Sequence, residues 1–226
     1  MCAMLSVVPT ARERARATTT EAILAAARTQ LAEVGAAALS LRAVAREVGL
    51  VSSAVYRYFP SRDELLTALI IEAYDAVGEA AEAARDAASG ASPRERWIAV
   101  WRGVRAWARD HPAQYALIYG SPVPGYAAPL DTLPAAGRVG VVLGGIAVDA
   151  HVPGDPDDDV VAAIAPDVAS TLGIDPRLAP DAVSAWTQLF GTVGFELFGQ
   201  YEQVVLDRET YFDHVAGAAA TSVGIR

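Results

Sequence analysis

A short stretch near the N-terminus of this 226-residue chain combines small side chains with hydrogen-bond donors. Its members are Ser52, Ser53, Ala54, Tyr56, Arg57, Tyr58 and Arg62. Hydroxyl and guanidinium groups donate to phosphate oxygens, and small residues let a helix approach the base edges in a groove. The tyrosines could instead cap a small hydrophobic core with their hydroxyls in water. The surrounding positive charge favours contact with a nucleic acid.

Charge is distributed unevenly along the chain, whose formal net charge is -9. Residues 1–62 contain 8 arginines and 4 glutamates, whereas the rest contains 10 arginines and 23 acidic residues. The N-terminal part is therefore basic, at +4, and the larger part is acidic, at -13. Only the N-terminal part is therefore expected to bind a polyanion such as a nucleic acid. The acidic part would repel phosphate and so orient the protein as the two molecules approach.

Hydrophobic spacing and helix breakers predict that the donors lie in a three-helix unit. A first helix is expected to begin at residues 18–20, which offer threonine N-caps, and to end at Gly35. A second, short helix is capped by Ser40 and ends at Gly49, and a third covers residues 52–58. Two short helices joined by a tight turn form a helix-turn-helix unit, whose second helix reads DNA.

This unit resembles the N-terminal DNA-binding domain of TetR-family transcriptional regulators. The resemblance extends over residues 20–69 and is carried by residues 41–50, LRAVAREVGL, and residues 55–66, VYRYFPSRDELL. The phosphate contacts that it implies are those of Ser40 or Arg42, Tyr56, Tyr58 and Arg62. The base-edge contacts that it implies are those of Ser52, Ser53 and Ala54. Val51 stands where the family often has a hydroxyl N-cap, so the cap of the recognition helix is expected at Ser52.

Beyond residue 62 the pattern predicts further helices, and the fold class is therefore all-α. Proline disrupts a helix interior, and ten of the 13 prolines fall between Pro112 and Pro180. Helices are expected over residues 61–88, 92–111, 112–119, 134–150, 155–172, 180–201 and 207–223, with a loop over residues 120–134.

Three regions are expected from this organisation. Residues 1–17 form a flexible basic arm, whose Arg12, Arg14 and Arg16 could enter a minor groove. Residues 18–62 form the helix-turn-helix domain, and residues 63–226 form a larger helical domain for effector binding and dimerisation.

The larger region also resembles a subgroup of the same family, through residues 111–120, HPAQYALIYG, and residues 186–191, WTQLFG. A tryptophan, a histidine and a glycine are more usual there, and Phe190 replaces the histidine. The resemblance implies a mostly apolar effector pocket and a homodimer formed through the last two long helices. Small residues of these helices would allow close approach of a partner, namely Gly191, Gly194, Gly199, Ala216, Ala219 and Ala220.

Aromatic residues of the larger region are candidates for the walls of the effector pocket, because such pockets combine aromatic walls with a few polar groups. The candidates are Trp97, Trp101, Tyr115, Tyr119, Tyr126, Trp186 and Phe190. The helical spacing of Trp97 and Trp101 fits plain core as well, since aromatic side chains dominate interior burial.

Other chemistries find little support in the sequence. The three histidines show no metal-ligand spacing, and a single cysteine cannot close a disulfide within the chain. No Ser-His-Asp order and no glycine-rich phosphate loop is present, so neither an enzyme nor a cofactor is expected. Because no signal peptide and no stretch long enough for a membrane span is visible, the protein is expected in the cytoplasm.

The expected function is that of a homodimeric transcriptional repressor on a palindromic operator in double-stranded DNA, released by an unknown small apolar effector. The alternative is a helical small-molecule-binding protein or enzyme without a DNA-binding role. Glu196, inside an apolar helix, would then meet a cationic ligand, a partner arginine or solvent.

Overall fold

The computed structural model describes residues 10–150 and 156–226 and shows helices but no strand in those ranges. The all-α prediction is therefore confirmed. The described residues up to Leu69, together with Val123–Ala127, form one compact unit, called here the head. Ile70–Pro122 and Ala128–Arg226 form a second unit, called the body.

The first helix of the head, α1 (Ala11–Val34), begins earlier than the sequence pattern predicts. Thr10 is its N-cap: the Glu13 backbone N–H donates to the Thr10 hydroxyl at 3.2 Å, and the Thr10 backbone N–H donates to the Glu13 carboxylate at 2.7 Å. This reciprocal capping box satisfies two N–H groups that a helix start otherwise leaves without partners. The expected start at residues 18–20 is wrong, and residues 11–17 are helical rather than a flexible arm. Residues 1–9 lie outside the described part.

Two short helices follow, α2 (Leu41–Glu47) and α3 (Ser52–Val55), as the helix-turn-helix prediction requires. Gly49, in the turn between them, has φ +71°, a left-handed conformation that glycine adopts without steric cost. Val51 is the N-cap residue of α3 and makes no side-chain capping bond, so the cap expected at Ser52 is wrong. The helix also ends at Val55, and residues 56–58 continue as turns rather than as helix.

Helix α4 (Arg62–Ala87) begins in the head and continues into the body. The Glu64 backbone N–H donates to the Ser61 hydroxyl at 3.1 Å, so the Ser61 side chain caps this helix. Both observed ends agree with the predicted helix over residues 61–88.

The body continues with α5 (Pro93–Asp110), α6 (Pro112–Tyr119), α7 (Leu133–Ala136), α8 (Arg138–Asp149), α9 (Asp158–Ala162), α10 (Pro166–Leu172), α11 (Ala179–Leu197) and α12 (Arg208–Ser222). The single helix expected over residues 155–172 is wrong. Pro166 lacks an N–H and disfavours helical geometry in the preceding residue, and Ala165 accordingly has ψ 132°. The helix expected over residues 134–150 is also divided at Gly137, where the segment Leu130–Ala136, which includes α7, meets α8 at a bend of 43°.

The core of the body is built around the tryptophans of α5. Trp97 and Trp101 are 2% and 0% exposed, and they pack among buried residues of α8, α11 and α12 such as Ile146, Leu189 and Phe212. Within residues 10–150 and 156–226, no single helix is long and apolar enough to cross a membrane, although the bent pair Leu130–Ala136 and Arg138–Asp149 has the length and composition to do so.

Candidate functional site

The helix-turn-helix of the head turns its apolar side chains inward and its hydrogen-bond donors outward. Val44 of α2 and Val55 of α3 are both 0% exposed. The candidate residues that are exposed to solvent are Arg42, Ser52, Ser53, Tyr56 and Arg57, and those that are half-buried are Ser40, Ala54, Tyr58 and Arg62. The short helices thereby bring the predicted base-reading residues and most of the predicted phosphate donors together on the outside of one motif.

Three arginines of this motif, Arg42, Arg46 and Arg57, have side chains without a partner among the described residues. None of these three side chains makes a hydrogen bond or an ion pair there, and all three residues are exposed. Ser40 is the N-cap residue of α2, but its hydroxyl makes no capping bond. Its backbone N–H instead donates to the side chain of the buried Gln30 in α1 at 3.2 Å, which fixes the start of α2. The side chains of Ser40, Arg42 and Arg57 are therefore available to a ligand.

The tyrosines of the motif differ in their surroundings. Tyr56 is 44% exposed, whereas Tyr58 is half-buried. The guanidinium carbon of Arg16 lies 5.3 Å from the centre of the Tyr58 ring, a distance at which a cation is attracted to the ring face. The sequence reasoning missed this contact because it placed Arg16 in a flexible arm. The Thr-x-x-Glu pattern at Thr10 was the signal that extends α1 to Arg16.

Arg62 is engaged inside the head. Its Nε donates to the carbonyl of Leu39 at 3.1 Å, and its Nη2 donates to the carbonyls of Ala36 and Ala37 at 2.8 and 3.0 Å. These carbonyls belong to the segment that joins α1 to α2. Arg62 therefore holds the connection that precedes the helix-turn-helix, and its contact with a phosphate stays a prediction.

The body contains a cavity of about 390 Å³ whose wall is largely apolar. Residues of α5, α7, α8, α10 and α11 line it. Among the aromatic residues proposed for an effector pocket, Trp97 and Trp186 lie in its wall, and Trp101, Tyr115, Tyr119, Tyr126 and Phe190 do not.

Three of the remaining aromatic candidates form a cluster beside Trp186. Tyr119 stacks on Phe190 with ring centres 3.9 Å apart, and Trp186 meets Phe190 edge-on at 5.5 Å. The Tyr115 hydroxyl donates to the Phe190 carbonyl, and burial raises the pKa of both Tyr115 and Tyr119. These tyrosines are therefore neutral, tightly packed parts of the body.

The other two aromatic candidates lie elsewhere. Trp101 is fully buried in the core of the body and packs against Phe212, with ring centres 5.9 Å apart. Tyr126 belongs to the head, where its hydroxyl shares a hydrogen bond of 2.8 Å with that of Thr67.

One wall of the cavity comes from glycines of α8 that the pocket prediction did not include. A Cβ on Gly140 would lie 2.7 Å from the Leu172 side chain, and one on Gly144 would lie 2.7 Å from the Leu172 carbonyl oxygen. Side chains at these positions would push α10 away from α8. These glycines therefore serve helix packing, and their spacing of four residues on one helical face was the signal for the wall.

The small residues expected at a dimer interface mostly pack within the chain. Gly194, Ala216, Ala219 and Ala220 are buried in the body, and only Gly191 and Gly199 of that set are exposed. The outer surfaces of α11 and α12 instead present aromatic side chains. Phe195 is 54% exposed and Tyr211 is 40% exposed.

Glu196 forms a buried ion pair rather than facing solvent. Its carboxylate accepts hydrogen bonds from Arg105 Nε at 2.7 Å and from Nη2 at 2.9 Å. The two side chains are 9% and 11% exposed, and the Arg105 guanidinium carbon also lies 5.0 Å from the centre of the Phe212 ring. This pair joins α5 to α11. In the described ranges, no group of three or more His, Cys, Asp or Glu residues is placed to hold a metal ion.

A helix-turn-helix with outward donors, joined to a helical body that holds an apolar cavity, defines a one-component transcriptional regulator. Residues 23–69 match the family model described as bacterial regulatory proteins, tetR family. Residues 97–219 match the model described as tetracyclin repressor-like, C-terminal domain. The chain belongs to the TetR family of transcriptional regulators. Repression and release by an effector are typical of this family, whose members are generally not enzymes.

Relatives and solved structures agree with this assignment. The chain is 41% identical over 196 residues to the HTH-type transcriptional regulator Rv1816 of Mycobacterium tuberculosis, which covers 82% of this chain and 84% of the relative. The crystal structure of the regulatory protein SCO4313 is similar, with a TM-score of 0.79 and 34% identity over 94% of this chain and 100% of that one. PfmR of Thermus thermophilus, with a TM-score of 0.56 and 18% identity over 89% and 96% of the chains, shares the fold. The resemblance to a tryptophan-histidine-glycine subgroup stays a prediction.

Proposed function

We propose that this protein binds a palindromic operator in double-stranded DNA as a homodimer and leaves it when a small apolar effector fills the cavity of the body. The observation that carries the proposal is that Arg42 and Arg57, on the donor-rich motif of the basic head, are exposed and that their side chains have no partner within residues 10–150 and 156–226. Guanidinium groups that make no internal ion pair remain available to phosphate oxygens.

In this proposal α3 enters the major groove. Ser52, Ser53 and Ala54 read base edges, and their small size leaves part of the specificity to the shape of the DNA. The proposed phosphate contacts come from Ser40, Arg42, Tyr56, Arg57 and Tyr58. Two heads of a dimer would occupy half-sites about 34 to 36 Å apart, one helical turn of DNA. An effector that nearly empties the operator must favour the released state by about 5 kcal/mol.

Replacing Arg42 with alanine is expected to weaken binding to the operator and to reduce the salt dependence of the affinity. Each phosphate contact that is lost lowers the slope of log affinity against log salt by about 0.9. The operator is first recovered by selection from genomic DNA, and affinities are then measured across a salt series by fluorescence anisotropy.

The control for this experiment is Arg109→Ala, which removes the same charge from an exposed arginine of α5 in the body. This variant is expected to retain the wild-type slope. An Arg42→Ala slope equal to that of the wild type, or an equal reduction in Arg109→Ala, contradicts the proposed DNA contact. A folded protein that enriches no sequence contradicts the function itself.

The proposed dimer forms through the outer surfaces of α11 and α12. A charged side chain cannot be buried there without a partner, so Phe195→Glu is expected to shift the protein towards monomer in sedimentation velocity. The matched control is Val160→Glu in α9. Val160 is 48% exposed and Phe195 is 54% exposed, and the Val160→Glu protein should remain dimeric. A dimer that survives Phe195→Glu at every concentration would place the interface elsewhere.

A further inference from the structure

We propose that the N-terminal part of α1 is a second DNA-contact surface of the head, on which Arg12 and Arg16 bind backbone phosphates beside the helix-turn-helix. The inference rests on the proposed function, because it adds contacts to the same operator complex. It follows from the helical register of the two arginines, from the contact between Arg16 and Tyr58, and from the charge of this part of the helix.

The two arginines continue the face of α1 that packs inside the head. Ile23, on this face, is 0% exposed. At about 3.6 residues per turn, Arg16 and Arg12 lie within about 20° of Ile23 around the helix axis. Both arginines are nevertheless exposed, and neither makes a hydrogen bond or an ion pair within residues 10–150 and 156–226. The face of α1 that is buried at Ile23 is therefore basic and exposed towards its N-terminal end.

Arg16 places this surface beside a proposed phosphate contact. Its guanidinium carbon lies 5.3 Å from the centre of the Tyr58 ring. A guanidinium group above an aromatic ring still has N–H groups that can donate to another acceptor. The Tyr58 hydroxyl makes no hydrogen bond with any other described residue. A DNA strand whose phosphate accepts a hydrogen bond from Tyr58 therefore also comes close to Arg16.

The charge of residues 10–20 favours a polyanion as the partner of this surface. This part of the chain contains three arginines, and its one acidic residue is Glu13. The Glu13 carboxylate accepts hydrogen bonds from the backbone N–H and the hydroxyl of Thr10, at 2.7 and 2.9 Å, and so serves the capping box. The positive charges of Arg12 and Arg16 therefore remain available to phosphate oxygens.

The helical structure of residues 11–17 favours contact with phosphates over contact with bases in the minor groove. The minor groove is about 6 Å wide, whereas an α-helix with its side chains is about 10 to 12 Å across. Arg12 and Arg16 are four residues apart, which is about 6 Å along the helix axis, and successive phosphates of one DNA strand are separated by a rise of about 3.4 Å. The two side chains can therefore bind phosphates of the same strand, and such contacts carry no base preference.

Alanine substitutions on opposite faces of α1 test this surface. The double variant Arg12→Ala with Arg16→Ala would lose two contacts in each subunit of the proposed homodimer. The slope of log operator affinity against log salt should therefore become shallower by about 3.6. The matched control is Arg14→Ala, at an exposed arginine that lies about 180° from Ile23 around the helix axis, and this variant should keep the wild-type slope. Alanine favours helix, so circular dichroism should show the same helix content in all three proteins.

Ethylation interference on the operator recovered from genomic DNA locates the contacts. In each half-site, phosphates whose ethylation weakens binding of the wild-type protein should have no such effect on the double variant. Replacing the base pairs beside those phosphates should leave the wild-type affinity unchanged, because a phosphate contact does not read the base.

Three results would overturn the inference. The first is a wild-type salt slope in the double variant, and the second is an equal reduction of the slope in Arg14→Ala. The third is a wild-type affinity that depends on the base pairs beside the contacted phosphates and loses this dependence in the double variant, which would assign the arginines to the minor groove. Each of these results is obtained with a wild-type protein that binds its operator, so it contradicts the α1 surface alone. A folded wild-type protein that enriches no operator contradicts the proposed function instead.

Discussion

Replacing Glu196 with alanine is expected to lower the free energy of unfolding by about 3 to 5 kcal/mol, because removal of one partner of a buried ion pair leaves the other charge uncompensated. Arg105 would remain in the core of the body with two of its donors unsatisfied and with Phe212 against its guanidinium group. Urea denaturation followed by far-ultraviolet circular dichroism measures the loss.

The body supplies a matched exposed pair for comparison. Arg102 and Asp213 form a bidentate ion pair between α5 and α12, but their side chains are 59% and 31% exposed. Asp213→Ala is expected to cost less than about 1 kcal/mol, since water compensates exposed charges. The double substitution Arg105→Met with Glu196→Leu removes both buried charges and should restore most of the stability that Glu196→Ala loses. Equal losses for Glu196→Ala and Asp213→Ala would show that burial of the pair has no energetic consequence.

Replacing Arg62 with alanine is expected to destabilise the head by about 2 to 3 kcal/mol, because three backbone carbonyls lose hydrogen bonds from a charged donor. The consequence should be local. Hydrogen–deuterium exchange of peptides covering residues 30–60 should accelerate, while peptides of α11 and α12 keep their protection. The affinity for the operator should fall together with the stability of the head. The reason is that the carbonyls bound by Arg62 lie in the connection that precedes α2 of the helix-turn-helix.

Arg62→Lys separates this structural role from a direct phosphate contact. Lysine keeps the charge that a phosphate attracts but cannot reproduce the planar fork that binds the Ala36 and Leu39 carbonyls together. We expect faster exchange over residues 30–60 in Arg62→Lys as well. Full protection combined with normal operator affinity in that variant would show that the charge of Arg62 matters and that its fork does not.

Local sequence signals were sufficient to predict most of the head. A capping serine before α4, a left-handed glycine in the turn and buried valines at helical spacing are all short-range patterns, and the structure contains each of them. The errors were also local: the start of α1 was sought at residues 18–20 although Thr10 and Glu13 form a capping box, a hydroxyl cap was expected for α3, and α3 was expected to reach residue 58 although it ends at Val55. Propensity rules identify helices better than they identify the residue at which a helix starts.

The cavity was predicted less well because its wall depends on which helices meet. Trp97 and Trp186 are far apart in sequence, and periodicity cannot distinguish an aromatic side chain at a cavity from one in solid core, as the neighbouring Trp101 demonstrates. The glycine wall needs the approach of α10 to α8, and the partner of Glu196 is 91 residues away in the chain. These contacts depend on the tertiary structure. A single sequence does not reveal them, because the same residue types also occur in other structural roles.

The early start of α1 limits where the N-terminus of the head can be truncated. A truncation that begins at residue 18 would delete the Thr10 and Glu13 capping box together with Arg16, whose guanidinium group lies over Tyr58. The new terminus would start at threonines whose hydroxyls donate to the Arg14, Ala15 and Arg16 carbonyls, all of which the cut removes. The smallest fragment that keeps the recognition motif with its native support therefore begins no later than Thr10.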